Sequence, residues 1–119
     1  MPSQPIERWR GDAAGRSRTT AFNELVFTVA TAEAAGPTLS AQTARSLELI
    51  DRNLAEAGSD KTRLLSATVY LTDIAGKAEM DEVWCDWIGD ARNWPQRACV
   101  QAQLAPGTLV EITVIATRA

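Results

Sequence analysis

Between Ser40 and Thr72 the apolar spacing changes period once, so helix and strand must follow each other directly, and an all-helical or all-β reading is excluded. From Ser40 to Ala57 the residues Ala44, Leu47, Ile50, Leu54 and Ala57 recur at three and four, the spacing that lines one helix face. Ser40 is the expected N-cap. Gly58 follows the last periodic residue, where a left-handed C-terminal cap brings no Cβ clash. From Thr62 to Thr72 the period is two, with Leu65, Ala67, Val69 and Leu71 on one face and Ser66, Thr68, Tyr70 and Thr72 on the other.

The flanking segments extend this pattern. Ile6 to Trp9 and Ser17 to Phe22 read as strands separated by a turn from Gly11 to Gly15, and Asn23-Glu24 is a tight turn into the strand Leu25 to Thr31. A second helix is expected from about Ala78 to Ile88, with Met80, Val83, Trp84, Trp87 and Ile88 on one stripe. After Pro95 the chain reads as a hairpin. Its arms are Arg97 to Leu104 and Leu109 to Thr117, joined at Ala105-Pro106-Gly107-Thr108. One face of that hairpin carries Ala98, Val100, Ala102 and Leu104 with Val110, Ile112, Val114 and Ala116. The other carries Arg97, Cys99, Gln101 and Gln103 with Glu111, Thr113 and Ile115. The expected fold is therefore α+β, a mostly antiparallel sheet with both helices on one face. The second sheet face is semi-apolar with no helix left to cover it, which suits an interface in a closed ring of copies.

A chain of 119 residues supports one domain, residues 1–119, and one core. The absence of histidine excludes a Ser-His-Asp triad, a Cys-His dyad and histidine-ligated metal sites. Cys85 and Cys99 form no CxxC pair, so a zinc knuckle and a thioredoxin-type motif are also excluded, and each reads as a small apolar residue. No cofactor or metal is expected. A net charge of -3 repels a phosphate backbone, no apolar run reaches membrane length, and no signal-peptide core follows Met1. The expectations are a cytoplasmic address, no nucleic-acid partner and no membrane.

Four stretches carry a family resemblance: Gln42-Thr43-Ala44-Arg45-Ser46-Leu47, Ala57-Gly58-Ser59-Asp60-Lys61, Ala67 to Asp73, and Pro95-Gln96-Arg97-Ala98-Cys99-Val100 with the later Val110-Glu111-Ile112. Over Ala41 to Ala119 the chain resembles the Rid (reactive intermediate deaminase, YjgF-like) family. The Trp84-x-x-Trp87 pattern is similar to a less-studied subgroup of it. The resemblance implies a chorismate-mutase-like fold, a homotrimer forming a barrel-like assembly, and small-molecule sites between subunits. It also implies hydrolysis of 2-imino or 2-enamino acids to 2-keto acids and ammonia. In that reading Arg97 grips the substrate carboxylate, Cys99 corresponds to a pocket cysteine, and Glu111 orients water.

Arginine suits the first role because its planar fork makes two parallel bonds to a carboxylate and stays protonated. Glu111, another carboxylate or bulk water would accept the proton, since histidine is absent. Cys99 reads as a pocket wall. Matching the hairpin's apolar faces places Gln103 opposite Glu111, so Arg97 and Glu111 lie roughly 20 Å apart along the strand and must serve one site from different subunits. Substrate contacts are expected from Arg97, Ala98, Cys99, Thr28, Val29 and Asp81. Three positions depart from the family pattern. Thr28-Val29 replaces a small-residue segment that would let backbone approach the ligand, Asp81 replaces a frequent asparagine, and Ser17-Arg18 stands near a frequent tyrosine. They leave open a second reading, a non-catalytic carboxylate-binding or interaction protein on the same scaffold.

Overall fold

The 18-residue helix anchors the architecture, and in the computed structural model, which describes residues 5–118, it lies across a single sheet. Helix α1 runs Leu39–Glu56 and buries Leu47, Ile50 and Leu54 against the sheet. Its N-cap is Thr38, whose hydroxyl accepts from the Ala41 N–H, and not Ser40, which is bonded to Glu79 instead. Gly58 closes the C-terminus at φ +85°, a conformation that only glycine reaches without strain. Ala44 is exposed. The buried stripe continues instead through the polar residues Gln42, Thr43, Ser46 and Asn53.

The strands are β1 (Glu7–Arg10), β2 (Ser17–Phe22), β3 (Leu25–Thr31), β4 (Leu64–Leu71), β5 (Gln96–Gln101) and β6 (Val110–Thr117). They form one mixed sheet in the order β1-β2-β3-β6-β4-β5. Helix α2 (Lys77–Ile88) connects β4 to β5, and both helices cover the same sheet face. Met80, Trp84 and Ile88 of α2 complete the core. The α+β class and the one-sided helix layer are as the periodicity requires.

The C-terminal hairpin does not form. Strand β5 pairs only with β4 and runs parallel to it, while β6 inserts between β3 and β4 and is antiparallel to both. The connection explains the first point: a helical crossover from β4 returns the chain to the side where β4 began, so the next strand runs the same way. Burial explains the second. Val110, Ile112, Val114 and Ala116 are all buried, and a strand that apolar on one face gains most from a central place beneath a helix.

Two face assignments change with this pairing. On β5, Ala98 and Val100 turn to the uncovered face, whereas Arg97 and Cys99 turn toward the helices, the reverse of the hairpin expectation. On β4 the register slips between Leu64 and Ser66, so Leu64 is buried and Leu65 is thrown outward. The uncovered face is semi-apolar as expected. It exposes Phe22, Leu25, Phe27, Leu65 and Val100, with Phe27 at 39% and Val100 at 41% of full exposure.

Candidate functional site

The pairing register separates the expected site residues into two groups. Arg97 pairs with Ala67, and Ala67 with Val114; Glu111 pairs with Tyr70, and Tyr70 with Val100. The two charges are therefore about 10 Å apart along the strands and about 10 Å apart across them. They also point to opposite sheet faces, Arg97 toward the helices and Glu111 away. The hairpin expectation of roughly 20 Å along one face is therefore corrected: Gln103 does not pair with Glu111, and the two charges are kept apart by a shorter offset and by alternation to opposite faces of a mixed sheet.

The first group lies at the free edge of the sheet. Because β5 is an edge strand and α2 packs beside it, Arg97 reaches α2 and is only 18% exposed. Its Nη2 donates to Asp81 Oδ1 at 2.6 Å, its Nη1 points at Met80 Sδ at 3.8 Å, and its guanidinium carbon stands 5.1 Å from the Trp84 ring centroid. The remaining guanidinium N–H groups have no acceptor among the described residues. Asp81 takes a second bond from Lys77 Nζ at 2.7 Å, one helical turn earlier. Burial works to raise the Asp81 pKa, but hydrogen bonds from Lys77 and Arg97, with their charges, outweigh it and hold the carboxyl below its ordinary range. Two cations thus face one carboxylate, and the cluster keeps a net positive charge.

Cys99 lies two residues along β5 from Arg97 and packs on the core. Burial pushes its thiol pKa up, and the nearby Arg97 only partly opposes this. A thiol with a raised pKa holds less thiolate at neutral pH, which disfavours Cys99 as a nucleophile. Under native conditions at pH 7.5, iodoacetamide is expected to label exposed Cys85 and to leave Cys99 largely unmodified, as read by peptide mass mapping. Rapid alkylation of Cys99 would contradict that assignment.

The second group lines a groove of about 660 Å³ that opens beside the N-terminal end of β2. The last β2–β3 pair is Thr19 with Thr28, so Val29 to Thr31 are held only by β6 and leave a gap bounded by Val29, Thr31, Arg18, Arg45, Asn53 and Glu111. Val29 and Glu111 therefore share one wall. Thr28 does not join them through its side chain. Its buried hydroxyl donates to the Arg18 carbonyl and accepts from Asn53 Nδ2, each at 2.9 Å, and lies 2.8 Å from the Thr19 hydroxyl. Asn53 Oδ1 in turn accepts from Arg18 at 2.7 Å, so a buried polar chain runs from the sheet to the groove. Ala98 joins neither group, being exposed on the uncovered face.

Two features of the site escaped the sequence reading. Trp84 was assigned to the core by its stripe, which is correct, yet its ring also carries Arg97. Asn53 sits three residues after Ile50 on the buried face, a spacing that was available as a signal of a buried polar residue.

A family model described as endoribonuclease L-PSP matches residues 17–118, every strand from β2 to β6 and both helices. The chain belongs to this family, the YjgF/RutC family. A YjgF-family protein of Neisseria meningitidis has the same fold at a TM-score of 0.90 and 39% identity, covering 99% of this chain and 98% of that one. A YjgF-family protein of Mycobacterium tuberculosis superposes at a TM-score of 0.84 with 29% identity, over 95% of this chain and 99% of that one. A RutC family protein of Haemophilus ducreyi is 43% identical over 76 residues, which is 63% of this chain and 64% of that protein's length. The chain of this YjgF/RutC protein joins β4 to β5 through α2, and that connection brings Arg97 and α2 together at the sheet edge. Among the described residues of this YjgF/RutC protein no helix is long and apolar enough to cross a membrane, and no cluster of metal-ligating residues occurs.

Proposed function

We propose that this YjgF/RutC protein hydrolyses 2-imino acids and their 2-enamino tautomers to 2-keto acids and ammonia, at sites completed between subunits of a homotrimer. The observation that carries the reading is Arg97: a half-buried guanidinium at an exposed sheet edge, with N–H donors left over after Asp81 and Met80. The unpartnered donors are not sealed in the interior, so a ligand can reach them, and a planar carboxylate fits the fork. Lys77 offsets Asp81, so the cluster still attracts a monoanion.

The reaction adds water across C=N and then expels ammonia, so the protein has only to hold the carboxylate and orient one water. Arg97 supplies the first function. Glu111 of a neighbouring copy supplies the second, because within one protomer it faces the other side of the sheet. Val29 and the groove beside it would form the wall for the substrate side chain, with Cys99 opposite.

The test is direct. An amino-acid oxidase generates the 2-imino acid in situ, and 2-keto acid release is timed with and without the protein. Accelerated release is expected, and a rate equal to the spontaneous one removes the deaminase reading. Binding of a small 2-keto acid without turnover would instead favour a non-catalytic carboxylate-binding protein, a reading suggested by the short Arg97–Asp81 ion pair. Nuclease activity, which the family's description names, is not supported by a chain with net charge -3 and no histidine.

A further inference from the structure

The two tryptophans of α2 stand between two cations. Arg97 lies over Trp84 at 5.1 Å, Trp84 and Trp87 are 5.3 Å apart at an interplanar angle of 58°, and Lys61 Nζ lies 5.3 Å from the Trp87 centroid. Trp87 is pinned from two further directions. Its Nε1 donates to Asp51 of α1 at 3.0 Å, and its carbonyl accepts from Lys61. Trp84 is buried against the core and cannot turn. The ring that faces Arg97 is therefore fixed by packing on its other sides, through contacts that reach α1 and Lys61, just before β4.

We infer that Trp84 is a positioning residue for Arg97: its ring face sets the plane of the guanidinium, Asp81 takes one edge of it, and the opposite edge is presented to a carboxylate. Asp81 alone cannot do this, because one hydrogen bond leaves the fork free to rotate about that bond. A ring face 5.1 Å from the guanidinium carbon restricts that rotation. An arginine side chain carries large rotamer freedom, and what is lost before the ligand arrives is not lost on binding.

The inference rests on the proposed role of Arg97, and its test separates the two. Pyruvate, a 2-keto acid that does not turn over, is titrated by calorimetry and by tryptophan emission against wild type, Trp84→Phe and Trp84→Leu, with circular dichroism as the folding control. Trp84→Phe keeps a ring and is expected to bind within about twofold of wild type, while the ligand-induced emission change is lost. Trp84→Leu is expected to weaken pyruvate about tenfold and to raise KM for a 2-imino acid by a similar factor, with kcat changing less. Equal pyruvate affinity in wild type and a folded Trp84→Leu overturns the inference, as does an emission change that persists in Trp84→Phe. If Trp84→Leu does not fold, the Trp84→Phe emission result alone decides. Pyruvate binding without hydrolysis of any 2-imino acid would defeat the deaminase reading and leave the positioning role to be judged on affinity. Failure of wild type to bind pyruvate would overturn both.

Discussion

Arg97→Ala is expected to lower kcat/KM for a 2-imino acid by at least about a hundredfold, measured as keto-acid release behind an amino-acid oxidase. The magnitude follows from the bonds lost. Charged hydrogen bonds contribute about 1.5–3 kcal/mol each, and two parallel ones to a carboxylate reach the roughly 3 kcal/mol that a hundredfold change requires. Arg97→Lys keeps the charge but not the fork, and is expected to fall between wild type and alanine. Neither change should unfold the protein. Asp81 keeps Lys77 as a partner when Arg97 is removed, so no carboxylate is left buried and unpaired. An unchanged rate in Arg97→Ala would end the deaminase reading, because the carboxylate anchor that the reading assigns to Arg97 would then be dispensable.

The second large effect concerns assembly. The uncovered sheet face exposes Phe22, Leu25, Phe27, Leu65 and Val100, and the charges that would share one reaction lie on opposite sides of that sheet. Size-exclusion chromatography with light scattering is expected to give wild type at three times the chain mass of 12.9 kDa. Phe27→Lys is expected to shift the mass to a single chain and to abolish turnover together with association. Phe27 is 39% exposed within one protomer, so lysine there costs the isolated fold little. Each aromatic or aliphatic side chain that association would bury is worth about 1.5–3 kcal/mol when burial is complete, and an interface of several such residues should not survive a charge at its middle. A monomeric wild type with full activity would refute the shared site. A trimeric Phe27→Lys would show that another surface makes the contact.

The N-terminal half was the more legible part of the fold. The Asn23-Glu24 turn, the strand Leu25–Thr31 and the long helix each follow from local rules, namely a tight turn with positive φ at Asn23, β-branched alternation and a three-and-four stripe. The C-terminal half was misread at one point. Two alternating segments joined by Ala105-Pro106-Gly107-Thr108 look like a hairpin, yet β5 and β6 do not pair, because β6 has a more favourable place between β3 and β4. Period two says that a strand has two faces. It does not say which neighbour will cover either one.

The consequence for the site is concrete. Arg97, Cys99, Glu111 and Asp81 were singled out by the family resemblance, whereas the partners of Arg97 were not legible. Asp81 appeared in the sequence as a charge that could interfere with Arg97, and the structure adds Lys77, which keeps the cluster cationic. Thr28 appeared as a ligand contact, and its hydroxyl is fully occupied by Arg18, Thr19 and Asn53. Ala98, next in sequence to Arg97, faces the other way because adjacent strand residues always do.

By itself the amino-acid order determined the element types, the one-sided helix layer and the chemistry excluded by the lack of histidine, since each depends on near neighbours in the chain or on composition. Only the tertiary structure decided which strands pair, which face Arg97 takes and what holds its guanidinium, since those depend on competition between distant segments for the same buried positions. Local periodicity is a property of one segment, while pairing is a comparison of free energies among several, and that comparison is made only when the whole core is assembled.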